Sequence, residues 1–525
     1  MLGHIIVNRY NLWAVVFSAI GTISTAYGLA IIGSTVGQPS FYTYLKLAPQ
    51  GTTGYSHTTR IIASLNGVNS AGAIIGCLYH IWSSESLGRK KTMIVGCIVL
   101  TIGGAICAGA VDVAMFLVGR GIAGIGSGIL ACVVPMYQAE ISTPETRGAM
   151  VSATGIEYAL GYSFAGWLGY ACSFMSDTSQ YAQFAWRFPL AFQCVFPVIF
   201  LCGQNFIPLS PRWLLSQCRE KEAFQIMCKL HQSSGDLNNV RAREEFFLTK
   251  KQYEIDSNLP NRRHDLFRTA PNRKRTLIGA MLMFGNQFLG VYVISNYGVL
   301  IYAQLGQGDS ISLLLNACWT TLTLFGNTWT AFYVDRYGRR TLLLIGAIGT
   351  FCTCICLCVL SALYLDTTNK AGLKATVFFC FLYIFWWCFF IDATQYVYIS
   401  EIFPSHLRSA GVAFSLASFY LASEVTLSVA PIAMDSIGWK FYLVLICPSS
   451  LFIILLFIYL PETKGRTLEE IGTLFGDKNI ANQWYGLTEE EKNVIYDQAV
   501  LEDKSDAATA GHTENIEDIG MEELG

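Results

Sequence analysis

Four charged side chains stand inside otherwise apolar stretches: Arg120, Glu157, Asp392 and Glu424. An ionised group at membrane depth is unfavourable unless it is paired or lines a polar path, so each marks a candidate site. Ion pairing, hydrogen bonding to a solute hydroxyl, and proton uptake and release are all open to them. Arg120 needs a counter-charge, and Glu157 on the adjoining apolar stretch is the simplest partner. A carboxylate whose arginine contact changes between two states can take up and release a proton. Glu157, Arg120, Asp392 and Glu424 are therefore the candidates for proton coupling. Asp392 is also suited to binding a solute hydroxyl, and Glu424 to a packed structural pair.

A second group of charges recurs. Tyr137, Glu140, Ile141 and Arg147 have the same spacing as Tyr398, Glu401, Ile402 and Arg408. Each phrase follows a shorter one, Glu85-Ser-Leu-Gly88-Arg89-Lys90 or Asp335-Arg-Tyr-Gly338-Arg339-Arg340. The copies lie about 250–260 residues apart. A long internal period in an apolar chain points to a transporter built from two similar halves. An acid, a Gly and two cations suit a tight turn between helices, with the Gly permitting the turn and the charges pairing with helix ends.

Composition agrees. The 525 residues are 53% hydrophobic and 14% charged, against roughly 25% charged in a soluble domain. Mean hydropathy is +0.42. The net charge of -2 offers no electrostatic case for nucleic acid. The 17 cysteines fall mostly in apolar stretches, in neither a disulfide framework nor a zinc pattern, and read as buried thiols. No cofactor or metal is expected, and the loops carry no nucleophile–base set that would suggest an enzyme.

The elements that must position these residues are membrane helices of about 20 apolar residues. Twelve are expected: 12–33, 61–82, 92–111, 114–136, 150–172 and 188–208 in the first half, then 276–302, 311–333, 341–364, 374–397, 410–432 and 441–460. The fold class is thus an all-α membrane protein with twelve transmembrane helices in two pseudo-symmetric six-helix bundles. The domains are a cytoplasmic N-terminus (1–11), an N-terminal bundle (12–208), a linker of short cytoplasmic helices (209–275), a C-terminal bundle (276–460) and a cytoplasmic tail (461–525). Within the linker, Arg219–Leu230 and Arg241–Tyr253 carry the helix formers. From Gly476 the tail holds thirteen Asp or Glu against three Lys, and it reads as disordered beyond Leu501. With both termini inside, 28 of the 35 Lys and Arg fall inside, which puts both repeated phrases in the cytoplasm.

The ordered set of motifs resembles the sugar porters of the major facilitator superfamily, the fungal branch in particular. It comprises Gly119-Arg120, Pro208-Leu-Ser-Pro-Arg212-Trp213, Asp335–Arg340 and Pro461-Glu462-Thr-Lys464-Gly465-Arg466, over about residues 10–475. The resemblance implies that Glu85, Arg89, Glu140, Arg147, Arg212, Asp335, Arg339, Glu401, Arg408 and Glu462 form a cytoplasmic charge network. That network would latch the two halves and release them. It also implies a mid-membrane sugar site lined by amides and aromatics. Gln287, Asn286, Tyr292, Asn296, Asp392, Tyr396 and Tyr420 are the candidate ligands, Gln287 foremost; an interhelical hydrogen bond is the other role open to Gln287.

The chain departs from the family pattern at Gly155, where Gln is usual, and at Ile391, Ala393, Tyr396 and Phe419-Tyr420, so the pocket differs from a standard glucose pocket. Gly28 occupies the place of the first-span Asp that accepts the proton in coupled members. The resemblance thus implies transport of a monosaccharide or related polyol by alternating access, as proton symporter or facilitator. A transport-related sensor and an exporter of a small metabolite use the same scaffold. The expected setting is the lipid bilayer of the plasma membrane, and a monomer suffices because one chain holds both halves.

Overall fold

The computed structural model describes residues 8–49, 52, 54–142, 147–175, 182–231, 242–243, 246, 249–250, 253, 265–365, 367, 369–404, 406–466 and 468–476. The side chains of 147–152, 231 and 468–470 lie outside that description, as does the acidic tail from 477 and most of 241–253.

Every described element is helical. The first half holds α1 (Arg9–Val36), α2 (Pro39–Tyr44), α3 (Tyr55–Ser86), α4 (Arg89–Ala108), α5 (Val113–Ile141), α6 (Arg147–Ser173), α7 (Phe184–Phe192) and α8 (Val195–Gly203). The link contributes α9 (Pro211–Ser216), α10 (Glu220–His231) and α11 (Asp265–Arg268). The second half holds α12 (Ala270–Gln287), α13 (Val291–Gln304), α14 (Asp309–Tyr337), α15 (Arg339–Tyr364), α16 (Lys370–Phe390), α17 (Asp392–Ile402), α18 (Arg408–Ile437) and α19 (Phe441–Tyr459), and α20 (Leu468–Phe475) follows.

Nine of these stretches are long and apolar enough to cross a bilayer, and one of them, Arg408–Tyr459, is long enough to cross twice. α6 and α14 bring the spans to twelve. These two are the more polar because they face each other between the halves. Ser163 Oγ donates to the Thr320 carbonyl at 3.2 Å, and Trp167 Nε1 donates to Thr321 Oγ1 at 2.8 Å. The helices overrun several of the expected spans by a few residues, because caps and turns set their ends and the lipid boundary does not. Asn8, Asp112, Thr269 and Asn369 each accept from a first-turn backbone N–H of the helix that follows.

Three spans are broken. The sixth passes from α7 to α8 at Gln193-Cys194. The seventh breaks between α12 and α13, where Gly290 takes φ +88, open to glycine without strain. The carbonyls freed there are recovered: Ser449 Oγ donates to Phe288 at 2.9 Å and the Tyr383 hydroxyl donates to Leu289. The tenth breaks at Ile391, so Asp392 opens α17. Discontinuous helices near mid-membrane are where transporters build sites.

One end of the bundle, the charged end, carries both Glu/Arg phrases. There the turn from α3 to α4 (Gly88, φ +82) matches the turn from α14 to α15 (Gly338, φ +92). A Cβ at Gly88 would lie 2.7 Å from the Trp213 ring, and one at Gly338 would lie 2.7 Å from Glu462 Oε2. Both turns therefore require glycine twice, for their backbone angle and for the segment packed on them.

Candidate functional site

The two copies of the charged phrase build matching clusters. In the first half, Arg89 donates to Glu140 Oε1 from Nε (3.0 Å) and Nη2 (2.6 Å), and Ser210 Oγ donates to Glu140 Oε2 at 2.5 Å. In the second, Arg339 Nη2 lies 2.7 Å from both Glu401 Oε1 and Asp335 Oδ1, and Thr463 Oγ1 donates to Glu401 Oε2 at 2.7 Å. Tyr137 donates to the Pro208 carbonyl and Tyr398 to that of Pro461, at 2.7 and 3.3 Å. Glu462 accepts the backbone N–H of Arg339 and Arg340, capping α15 with a negative charge at its positive end.

Each of these bonds lies within its own half, whereas the sequence suggested a latch between halves. The halves meet at this end through Ser84 Oγ and Ser409 Oγ (3.0 Å), with His80 Nε2 3.4 Å from the same Ser409 hydroxyl. Ser210 and Thr463 were missed, although Pro208-Leu-Ser210 and Pro461-Glu-Thr463 form a third doublet. Arg147 lies outside the described side chains. Arg212 lies in the first turn of α9, Glu85 stands at the end of α3, and Arg408 opens α18.

Between the halves lies a cavity of about 30 Å³ lined by residues including Leu29, Tyr162, Tyr292, Asn296, Trp387 and Asp392. A second, of about 10 Å³, is lined by residues including Leu29, Asn66, Arg120, Tyr292, Asn296 and Tyr420. Leu29, Tyr292 and Asn296 border both. There is room for a water or two, where a small-molecule pocket takes some 300 Å³ or more, so the site is contracted. At the end away from the charges, a Cβ on Gly33 of α1 would lie 3.1 Å from the Asn296 carbonyl oxygen, and one on Gly166 of α6 would lie 2.7 Å from Thr320 Oγ1.

Four of the seven candidate ligands line these cavities: Tyr292, Asn296, Asp392 and Tyr420. Tyr292 shares a 2.9 Å hydrogen bond with Tyr162 across the halves. Asp392 Oδ2 accepts from Asn327 Nδ2 at 2.8 Å, and Asp392 stands in the first turn of α17. Tyr396 stacks on Tyr158 from the first half, rings 5.5 Å apart and 10° from parallel. Gln287 and Asn286 are fully buried and engaged elsewhere. Gln287 Oε1 accepts from Ser423 Oγ at 3.1 Å, and Asn286 Nδ2 donates to Gln395 Oε1 at 2.5 Å. Both sit at the end of α12 and bond to α17 and α18; Ser423, the partner of Gln287, lines the second cavity, so Gln287 lies one side chain behind its wall. Asn66, Tyr162 and Asn327 were missed; their signal was a polar side chain in an apolar span.

The expected Arg120–Glu157 pair does not form. Glu157 Oε1 accepts from Gln138 Nε2 at 2.8 Å. Gln138 lies eighteen residues beyond Arg120 on α5, about 27 Å along the axis. Neighbouring antiparallel helices bring together residues at equal depth, and these two are at unequal depth. Arg120 instead donates from Nη1 to the Gly28 carbonyl (2.9 Å) and from Nε to the Leu65 carbonyl (3.3 Å). Glu424 accepts from Ser428 at 3.1 Å, one turn along α18.

Comparison with known proteins agrees with this architecture. The sequence profile of the family described as "Sugar (and other) transporter" matches residues 13–475. The chain is 30% identical to the MFS-type transporter criB of Aspergillus cristatus over 88% of this chain and 92% of that one. It is 28% identical to the high-affinity glucose transporter of Kluyveromyces lactis over 98% and 93%. Its structure is similar to that of the proton:xylose symporter XylE bound to 6-bromo-6-deoxy-D-glucose (TM-score 0.75, 25% identity, 89% of this chain and 99% of that one). With a duplicated bundle, matching charged turns and a cavity enclosed by broken helices, the chain belongs to the sugar porter family of the major facilitator superfamily, whose members move solutes across membranes.

Proposed function

We propose that this protein carries a monosaccharide or related polyol across a membrane by alternating access, and that the paired cavities beside Tyr292 and Asn296 are its transport site. The observation that carries the reading is the cavity itself. It lies between the halves, is bordered by the breaks of the seventh and tenth spans, and combines amides, hydroxyls and a carboxylate with aromatic faces, the mixture that suits a sugar's hydroxyls and its apolar face. The contracted volume fits a state between two openings, with Gly33 and Gly166 closing one end and Ser84 and Ser409 the other.

The charged clusters set the balance between openings by fixing the helix ends of each half. A solute site needs no second chain, so a monomer is the working unit. The Lys and Arg distribution supports a cytoplasmic charged end with both termini, and the plasma membrane is the setting. Proton coupling runs through Glu157, which is held among α1, α5 and α6 by Gln138, and not through residue 28. Uptake of radiolabelled hexoses, pentoses, polyols and acids in a transporter-deficient host tests the reading. Uptake of at least one class, lost in Asn296→Ala with the protein still at the membrane, is the expected result. Uptake of none would overturn it.

A further inference from the structure

Among the described residues Arg120 is the one cation in the second cavity's wall, 2% exposed and permanently charged. Among the described residues its only hydrogen bonds go to the Gly28 and Leu65 carbonyls, and it makes no ion pair. Two neutral carbonyls orient the guanidinium without cancelling its charge, and Nη2 is left with no protein acceptor. Residue 28 cannot supply a carboxylate. It is glycine, and a Cβ there would lie 2.7 Å from Gln193 Nε2, a buried amide nitrogen that itself has no hydrogen-bond partner. Two donors thus flank Gly28 where an acceptor is wanted. Asp392 stands in the wall of the adjoining cavity, hydrogen-bonded to Asn327. The merged site is dipolar, positive towards α5 and negative towards α17, with Tyr292 and Asn296 between.

From this we infer that the solute is a carboxylated polyol, such as a sugar acid, whose carboxylate pairs with Arg120 while its hydroxyls meet Asn296, Tyr292 and Asp392. A planar guanidinium with a free edge matches a carboxylate in a way a neutral hydroxyl does not. Charge pairing completes the site only when solute is bound, so the occupied state is the one in which the arginine is neutralised. The hydroxyl end fits Asp392 as a hydrogen-bond acceptor and keeps the solute's own charge at the far end.

This inference rests on the transport reading above, and one comparison separates the two. Uptake of labelled glucuronate, glucuronamide and glucose is measured with the full-length protein, and the purified protein is tested for thermal stabilisation by each. Glucuronate and its amide have nearly the same shape and differ in charge. At least tenfold preference for glucuronate over glucuronamide, falling to less than threefold in Arg120→Gln, is expected. Equal handling of the two, or preference for amide and glucose, overturns the carboxylate assignment and leaves sugar transport standing. Handling of none of the three, nor of other acids or sugars, overturns both. The wild-type comparison decides the matter even if Arg120→Gln fails to fold.

Discussion

Replacing Gly166 with alanine probes whether the contracted state is held by close approach of the halves. The added methyl of Gly166→Ala would lie 2.7 Å from Thr320 Oγ1 and 3.1 Å from Ala317 Cα. The first contact can be relieved only by turning the Thr320 side chain away from its 2.9 Å bond to the Ala317 carbonyl, and the second is backbone, so α6 and α14 must separate by a few tenths of an ångström. Overpacking of this kind costs about 1–3 kcal/mol. Because the strain exists only while the two halves are together, it falls on the contracted state, shifting the population by roughly 5- to 150-fold towards the state open at that end. Gly33→Ala adds a similar push, since its Cβ would meet the Asn296 and Ser295 carbonyl oxygens at 3.1 and 3.3 Å. Hydrogen exchange followed by mass spectrometry reads the result. Amides of α13 and the first half of α14 exchange faster in Gly166→Ala, while those opening α4 and α15 at the charged end keep their protection. Wild-type exchange in α13 and α14, in a variant that melts at the wild-type temperature, would refute the close-approach argument. Uniform loss of protection at both ends would refute it too, because the strain would then be global.

Four further outcomes follow from named contacts. Glu140→Gln and Glu401→Gln keep shape and lose charge, removing charge-assisted bonds worth about 1.5–3 kcal/mol each. Each should raise exchange at its own turn, around Arg89 or Arg339, and change the uptake rate, whereas effects confined to the opposite half would contradict the clusters' independence. Glu157→Gln should leave solute binding intact and flatten the pH dependence of uptake; an unaltered profile would remove Glu157 from coupling. Asp392→Asn keeps the Asn327 contact region filled but removes the negative pole, so hydroxyl-bearing solutes should bind at least several-fold more weakly in a thermal-shift titration, and unchanged affinity would take Asp392 out of the site. Tyr383→Phe leaves the Leu289 carbonyl at the seventh-span break without its donor, a loss of about 1–3 kcal/mol, visible as a lower melting temperature with uptake specificity unchanged.

The twelve spans and both charged turns were legible because their signals are local. About 20 apolar residues, a Gly after an acid, and paired cations can be read from one stretch. Partners across helices were not. The pairing of Arg120 with Glu157 followed from adjacency of spans, but depth decides, and depth depends on antiparallel register that a linear reading does not hold. Arg120 lies seven residues from the start of α5, and Glu157 ten residues from the start of the oppositely directed α6. The same limit hid the partners of Gln287 and Asn286, although an interhelical hydrogen bond was one of the two roles open to Gln287. Their amides were visible, but that Gln287 meets Ser423 and Asn286 meets Gln395 depends on how the end of α12 packs on α18 and α17, which no single stretch records. Asp392 was visible as an intramembrane acid, whereas its position at a helix start depended on a break at Ile391 that an isoleucine does not advertise. Ser210 and Thr463 could have been found by extending the repeat search past the sixth and twelfth spans.

The decisive measurement is a pair of spin-label distances in the same protein, one between Val111 and Asp309 at the end away from the charges and one between Lys91 and Tyr337 at the charged end, all four sites being exposed. With a transported solute added, one distance should shorten as the other lengthens, in the same fraction of molecules. Distances that stay fixed, or that grow and shrink together, would contradict two halves rocking about the central cavity.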